Sequence, residues 1–299
     1  MLFRSANALE RGASFLNART AYDNAVLSVL RAGDFLVEYS YLDPDELPAS
    51  ESHSRFQGVN LKYNQNKNVE AAFAWINVPQ SDSLYVFPDG LTRDRSGLQV
   101  LNPRLLINNP LGLEGFWLES EFAHEWNDRF PMAAQAGYVA AGYAINDLKL
   151  RPQIRYRFAG FSGDNPETVT YERFDSLRGG GLGDWLQGIN LAKVYGNSNL
   201  FSHWLELVLN PSRTLQFSLN YFVLYADQLN NLGARPALSQ LASRDIGQEL
   251  MLVTRWSATP NLFVLGVTSL AFPGSAIQGA VSAPTHPWLT FQVSLFLGF

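Results

Sequence analysis

The sequence predicts an all-β fold, a transmembrane up-and-down antiparallel β-barrel with about thirteen strands in this chain. Three observations carry that prediction. Apolar and polar residues alternate with period two, the signature of a strand whose two faces meet different surroundings. The alternating runs are mostly ten to fourteen residues long, whereas an ordinary globular strand has about five or six and a strand tilted across a bilayer needs about 9–11. Short and long connections then alternate along the chain, as up-and-down barrel topology requires.

Taken in order, the runs 19–30 and 34–42 flank the turn Arg31-Ala32-Gly33, and 54–64 and 69–78 flank Asn64 to Asn68. Runs 98–107 and 114–126 are joined by Asn108 to Leu113, and 132–145 and 148–161 by Asn146-Asp147. Runs 200–210 and 214–227 meet at Asn210 to Arg213, runs 244–256 and 261–272 at Ser257 to Asn261, and 286–299 stands last. Asn, Gly, Pro and Asp in these connections supply tight-turn backbone conformations. Between the pairs lie 43–53, 127–131 and the long loops 79–97, 162–199, 228–243 and 273–285. With the last strand descending, every tight turn falls on the periplasmic side, and the whole chain, 1–299, reads as one barrel domain.

The alternation is clearest in three runs. Leu289, Phe291, Val293, Leu295 and Leu297 alternate with Thr290, Gln292, Ser294 and Phe296; Leu215, Phe217, Leu219, Tyr221 and Val223 alternate with Gln216, Ser218 and Asn220. In 148–161, Leu148, Leu150, Ile154, Tyr156 and Phe158 oppose Lys149, Arg151, Gln153, Arg155 and Arg157. Trp75, Trp117, Trp126, Tyr138, Tyr221, Trp256, Phe272, Trp288 and Phe299 fall near run ends, where interfacial aromatic girdles are expected. A soluble β-sandwich would have shorter strands and a polar outward face.

Composition narrows function. The net charge of −5 with 16% charged residues leaves nothing to neutralise nucleic-acid phosphates. With no cysteine, disulfides, thiolate metal sites and thiol nucleophiles drop out. His53, His124, His203 and His286 never fall three or four apart, so no zinc site is expected, nor any cofactor. His124 and His203 point to apolar strand faces, and Ser202 projects opposite to its neighbour His203, which disfavours a nucleophile–base pair within the strand and an enzyme. The stretch Trp256–Phe299 lacks charge, but Pro260, Pro273, Pro284 and Pro287 divide it into pieces too short for a membrane helix.

Lipid burial of charge costs about 2–4 kcal/mol at midplane, so the charged faces must line the lumen. Lys149, Arg151, Arg155 and Arg157 would then form a cationic track for a polyanion, joined by Arg19, Arg104 and Arg255, since arginine grips carboxylates through its planar fork. Glu119, Glu121, Glu125 and Glu249 are the acidic partners, with Lys62, Glu70 and Glu206 further lumen charges. A competing reading is that the cations only neutralise the Glu119, Glu121 and Glu125 track. Mixed sign suits a polymer conduit, where cations hold carboxylates and anions keep them from sticking. Loop 162–199, with Asp164, Glu167, Glu172, Asp175 and Asp184, is open to two readings, an inward plug or a solvated lid; its spacing fits no calcium loop.

From Tyr156-Arg157-Phe158-Ala159-Gly160-Phe161-Ser162-Gly163-Asp164 onward the chain resembles the alginate export family of outer-membrane barrels. Phe174-Asp175-Ser176-Leu177, Gly183-Asp184-Trp185-Leu186, Gly188-Ile189-Asn190-Leu191, Gly247-Gln248-Glu249-Leu250 and Phe272-Pro273-Gly274 continue the resemblance in order. Leu295-Phe296-Leu297-Gly298-Phe299 is similar to the C-terminal signal read by outer-membrane assembly machinery. The resemblance implies an outer-membrane channel for an anionic polysaccharide such as alginate, embedded in outer-membrane lipid, with a periplasmic export partner. A general porin for small anions or nutrients is the alternative. It also implies a barrel of about eighteen strands. No signal peptide is visible and the first run descends, so this chain is expected to be the C-terminal part of a longer protein, lacking about five strands.

Overall fold

The computed structural model describes residues 22–44, 51–66, 68–177, 187–281 and 285–298. The predicted positions Arg19 and Phe299, and the motif Gly183-Asp184-Trp185-Leu186, lie outside the described residues. Strands β1 (Tyr22–Ala32), β2 (Phe35–Pro44), β3 (Arg55–Asn66) and β4 (Val69–Gln80) open the fold. A small hairpin, β5 (Leu84–Val86) and β6 (Thr92–Asp94), interrupts the next loop. Then come β7 (Leu98–Asn108), β8 (Phe116–Asn127), β9 (Ala134–Ala144), β10 (Gln153–Phe161) and β11 (Leu200–Leu209). The chain closes with β12 (Leu215–Ala226), β13 (Asp245–Thr259), β14 (Leu262–Pro273) and β15 (Trp288–Leu297).

Apart from the hairpin, each strand pairs antiparallel with its sequence neighbours, giving a 13-stranded sheet that runs in chain order from β1 to β15. The thirteen predicted runs are those thirteen strands, with shifted ends. One shift matters for function. Run 148–161 loses its first third, because β10 begins only at Gln153. Pro152 has no N–H for the ladder, Arg151 takes a left-handed φ of 41°, and its N–H closes a turn onto Leu148 O at 2.9 Å. Among the described residues no ladder joins β1 to β15.

Register fixes which side chains share a face. One row reads Trp117, Gly142, Arg155, Glu206, Asn220, Met251, Ser269, Thr290 across β8 to β15. The row two residues along reads Glu119, Ala140, Arg157, Trp204, Phe222, Glu249, Ala271, Trp288. This inner face also carries Lys62, Glu70, Arg104, Glu121, Glu125 and Arg255. The opposite face presents exposed Leu61, Phe73, Leu105, Phe122, Val139, Ile154, Tyr156, Leu205, Leu219, Leu252 and Phe291. Away from strand ends, no described Asp, Glu, Lys or Arg stands on that outer face.

Three of the expected girdle aromatics belong inside. Trp117, Tyr138 and Trp288 share the inner face with the charges, whereas Trp75, Trp126, Tyr221, Trp256 and Phe272 are outward. Position near a strand end does not determine face; parity along the strand does.

At the end opposite the tight turns, the long connections fold over the inner face. Tyr85, Phe87, Phe130 and Tyr171 pack ring against ring, with centroids 4.9–5.9 Å apart. Leu98, Val100, Ala159, Leu200, Leu224 and Ile246 from the strands are buried beneath this cap with Leu191 and Tyr195. Loop 273–285 contains a short helix, Ser275–Ala280, that packs on β13.

Placing a charge on the outer face should separate the two surfaces. Leu219→Arg is expected to lose about 2–4 kcal/mol in urea unfolding from lipid vesicles, while Ser294→Arg on the inner face of β15 stays within about 1 kcal/mol. Equal losses would contradict the assignment of faces.

Candidate functional site

The inner-face charges are not a row of unattended cations. Arg155 lies between two carboxylates and two indoles: its Nη atoms stand 3.8 Å from Glu119 and 3.7 Å from Glu206. Its guanidinium sits 5.2 Å over Trp117 and 4.6 Å over Trp204. Arg157, only 1% exposed, lies 4.4 Å over the other part of the same cluster, the Trp204 ring, and its Nη2 donates to Gln187 Oε1 at 3.5 Å. Trp204 stacks on Phe222 at 5.8 Å, and its indole N–H donates to Asn220. Gly142 leaves the space for this arrangement, because a Cβ there would run into the Trp117 indole.

The other predicted positions scatter. Lys149 and Arg151 sit exposed in the tight turn before β10, so the four-cation track is shortened to Arg155 and Arg157. Arg104 donates to Asn60 Oδ1 at 2.9 Å, and Asn60 donates to Glu38 at 2.7 Å. Glu121 accepts from Asn102 at 3.0 Å, Glu119 from Tyr138, and Lys62 pairs with Glu70 at 2.8 Å. Arg255 donates to Gln216 at 3.2 Å near the tight-turn end. Every one of these partners lies on a neighbouring or next-but-one strand, which is why single-strand parity could not reveal it.

Glu125 and Glu249 serve the loops. Glu125, fully buried, accepts the backbone N–H of Asp175 at 2.8 Å. Asp175 in turn binds Arg95 through both carboxylate oxygens, at 2.6 and 3.1 Å, and accepts from Tyr85 at 2.8 Å. Burial, then the charges of Asp175 and Glu125, push the Tyr85 hydroxyl well above its ordinary pKa, which keeps it a donor. Burial works most strongly against the charge on Arg95, but Asp175 and Tyr85 together outweigh it and raise the guanidinium above its ordinary pKa.

Glu249, also fully buried, receives three successive backbone N–H groups, from Ile189 at 2.7 Å, Asn190 at 3.0 Å and Leu191 at 2.8 Å. The Ser269 hydroxyl completes its shell. Asn190 donates to Ser269 Oγ at 3.2 Å and accepts from Thr290, while Ser202 donates to Gln187. Residues 187–191 thus lie against β10, β11, β13, β14 and β15, and this part of loop 162–199 folds inward, whereas 166–169 are exposed. The motifs Gly188-Ile189-Asn190-Leu191 and Gly247-Gln248-Glu249-Leu250 meet face to face. Sequence reading named both motifs but carried no sign of their contact; the glycine was the available clue. Gly188 has φ +81°, and a Cβ there would strike the Glu249 carboxylate.

Ser202 faces inward to Gln187, while His203 faces outward and meets Tyr156 OH at 2.8 Å. The two do not form a nucleophile–base pair. Among the described residues no cluster of three metal-ligating side chains is found.

An apolar outer face and a charged, paired inner face suit a sheet whose strands cross a membrane, the class to which outer-membrane β-barrels belong. Residues 12–288 match the family described as alginate export, and the chain belongs to that family. Among solved structures, it is similar to Wzi of Escherichia coli, described as an outer-membrane protein involved in group 1 capsule assembly and a carbohydrate-binding β-barrel. The identity is 9% and the TM-score 0.49, over 80% of this chain and 52% of that one, so the chain spans about half the length of Wzi. It is also similar to the NanC porin, at 9% identity and TM-score 0.35, over 84% of this chain and 96% of that one. The search of curated proteins finds no match.

The pairings make a stability prediction. Arg155→Gln removes the cation shared by Glu119 and Glu206 and is expected to lower stability in urea by about 1–3 kcal/mol. Lys149→Gln and Arg151→Gln, in the exposed turn, should stay within about 0.5 kcal/mol. Equal effects at the three positions would contradict the placement.

Proposed function

We propose that this chain builds the wall of an outer-membrane channel that passes an anionic polysaccharide such as alginate, and that it acts as a conduit rather than an enzyme. The observation that carries the reading is the sorting of charge: cations on the inner face of the sheet, away from strand ends, are held by carboxylates or amides of the same wall or, for Arg157, of the loop against it. Such cations attract a uronate without gripping it, because each already has a partner to return to. Weak contact at many positions is what conduction of a charged polymer needs. Membership of the alginate export family supports the cargo class.

In this reading the tight turns face the periplasm. Lys149 and Arg151 then stand at the periplasmic mouth, where an exported polyanion arrives, with Arg255 just inside and Arg104, Arg155 and Arg157 farther along the wall. Glu119, Glu121 and Glu206 keep the local charge balanced. Hydrocarbon leaves unpaired backbone at a sheet edge uncompensated at several kcal/mol per group. The edges of β1 and β15 are therefore paired in the membrane, with each other or with further strands of a barrel of about eighteen. The loops 79–97, 162–199, 228–243 and 273–285 face the cell exterior. Assembly machinery recognising the C-terminal Phe299 and a periplasmic export partner complete the proposed set of contacts.

Selectivity tests the reading without disturbing the Arg155 cluster. With Arg104 and Arg255 both changed to Gln, reversal potentials in a salt gradient should shift away from anions. Oligouronate binding should weaken by about tenfold, equivalent to ~1.4 kcal/mol for two half-buried charge contacts. An unchanged reversal potential together with unchanged binding would contradict an anion-conducting wall.

A further inference from the structure

Glu249 differs from the inner-face carboxylates that pair with cations. Glu119 and Glu206 share Arg155, whereas among the described residues no basic side chain pairs with Glu249. Its buried charge is answered by main-chain donors of the loop, Ile189, Asn190 and Leu191, and by one hydroxyl of the wall, Ser269. A desolvated carboxylate is costly, and charge-assisted bonds from backbone N–H groups offset the cost only while the loop stays in place. The wall therefore stabilises the loop and the loop stabilises the wall charge.

The rest of the contact is made by side chains: Gln187 meets Ser202 and Arg157, and Leu191 and Tyr195 are buried against the strands. Ile189 packs on Val253 and Val267, and Asn190 reaches Ser269 and Thr290. Downstream, the chain is tied to the rim rather than to the wall. Asn199, with φ 55°, donates through Nδ2 to the carbonyls of Gln228 and Asn230, and Tyr195 OH donates to Asn199 O. Upstream, Asp175 is anchored by Glu125 and Arg95. Loss of the Glu249 contact would remove the main-chain anchors of Ile189, Asn190 and Leu191 and leave the segment held by its side chains and by its tie to the rim.

We propose that residues 187–195 are a strap latched across the inner wall by Glu249, and that unlatching it widens the passage beside β10 to β15. The latch stands on the geometry alone; the widening rests on the channel reading above. Gly188 is the loop-side half of the latch, since any side chain there meets the carboxylate.

The cysteine-free chain allows a direct test in the full protein. Val267→Cys places a thiol under Ile189, and its labelling by a water-soluble maleimide reports whether the strap is seated. Glu249→Ala and, from the loop side, Gly188→Ala should each speed labelling by at least about tenfold, with the heat-dependent gel mobility of the folded sheet unchanged. Single-channel conductance should rise in both variants. A disulfide formed between Asn190→Cys and Thr290→Cys should return conductance to the parent level, and reduction should release it again. Unchanged labelling in Gly188→Ala, which leaves the wall intact, would overturn the latch. Faster labelling with conductance equal to the parent would overturn the strap's control of passage while leaving a channel. Absence of conductance in every variant, including those with the strap released, would overturn the channel reading and the widening with it, and the labelling result would still decide the latch.

Discussion

The arrangement depends on one constraint: a charged side chain in hydrocarbon costs several times what it can recover, so a sheet in a membrane must send all its charge to one side. Period-two geometry makes that possible residue by residue, because neighbours in sequence leave a strand on opposite faces. Arg155 and Arg157 alternate with Ile154, Tyr156 and Phe158, and the register carries the same division across every neighbouring strand. A one-residue slip would bring Arg155 and Arg157 to the outer side of the sheet.

Crowding charge onto the inner face creates a second problem, which pairing answers. Arg155 lies between the carboxylates of Glu119 and Glu206 and the rings of Trp117 and Trp204, and Arg104, Asn60 and Glu38 form a hydrogen-bonded chain. Where cations run out, the loops take over. Glu125 and Glu249 have main-chain N–H groups of loop 162–199 as partners, and in return they draw that loop inward. The inner face thus carries both a wall of paired charge and a loop held by two of its carboxylates.

Much of this fold is legible in one-dimensional pattern. The thirteen strands follow from alternation and run length, and the sorted faces from parity, because both depend only on nearest neighbours in sequence. What failed to show depends on partners distant in sequence or on local backbone. Leu148 to Pro152 reads as strand by polarity, yet Pro152 lacks the ladder donor and Arg151 turns left-handed. Trp117, Tyr138 and Trp288 read as girdle residues by position, yet parity places them among the charges. The four-cation track dissolved for the first reason, and the role of Glu249 was hidden because Ile189 to Leu191 lie about sixty positions away and contribute backbone rather than side chains.

The division of faces is tested most directly by fluorescence quenching in bilayers of brominated phospholipid, using chains that each keep a single tryptophan. Strong quenching is expected of Trp75, Trp126 and Trp256, and little of Trp117, Trp204 and Trp288, which lie on the inner face. Quenching of Trp204 to the level of Trp256 would place the Arg155 cluster against lipid and contradict the account.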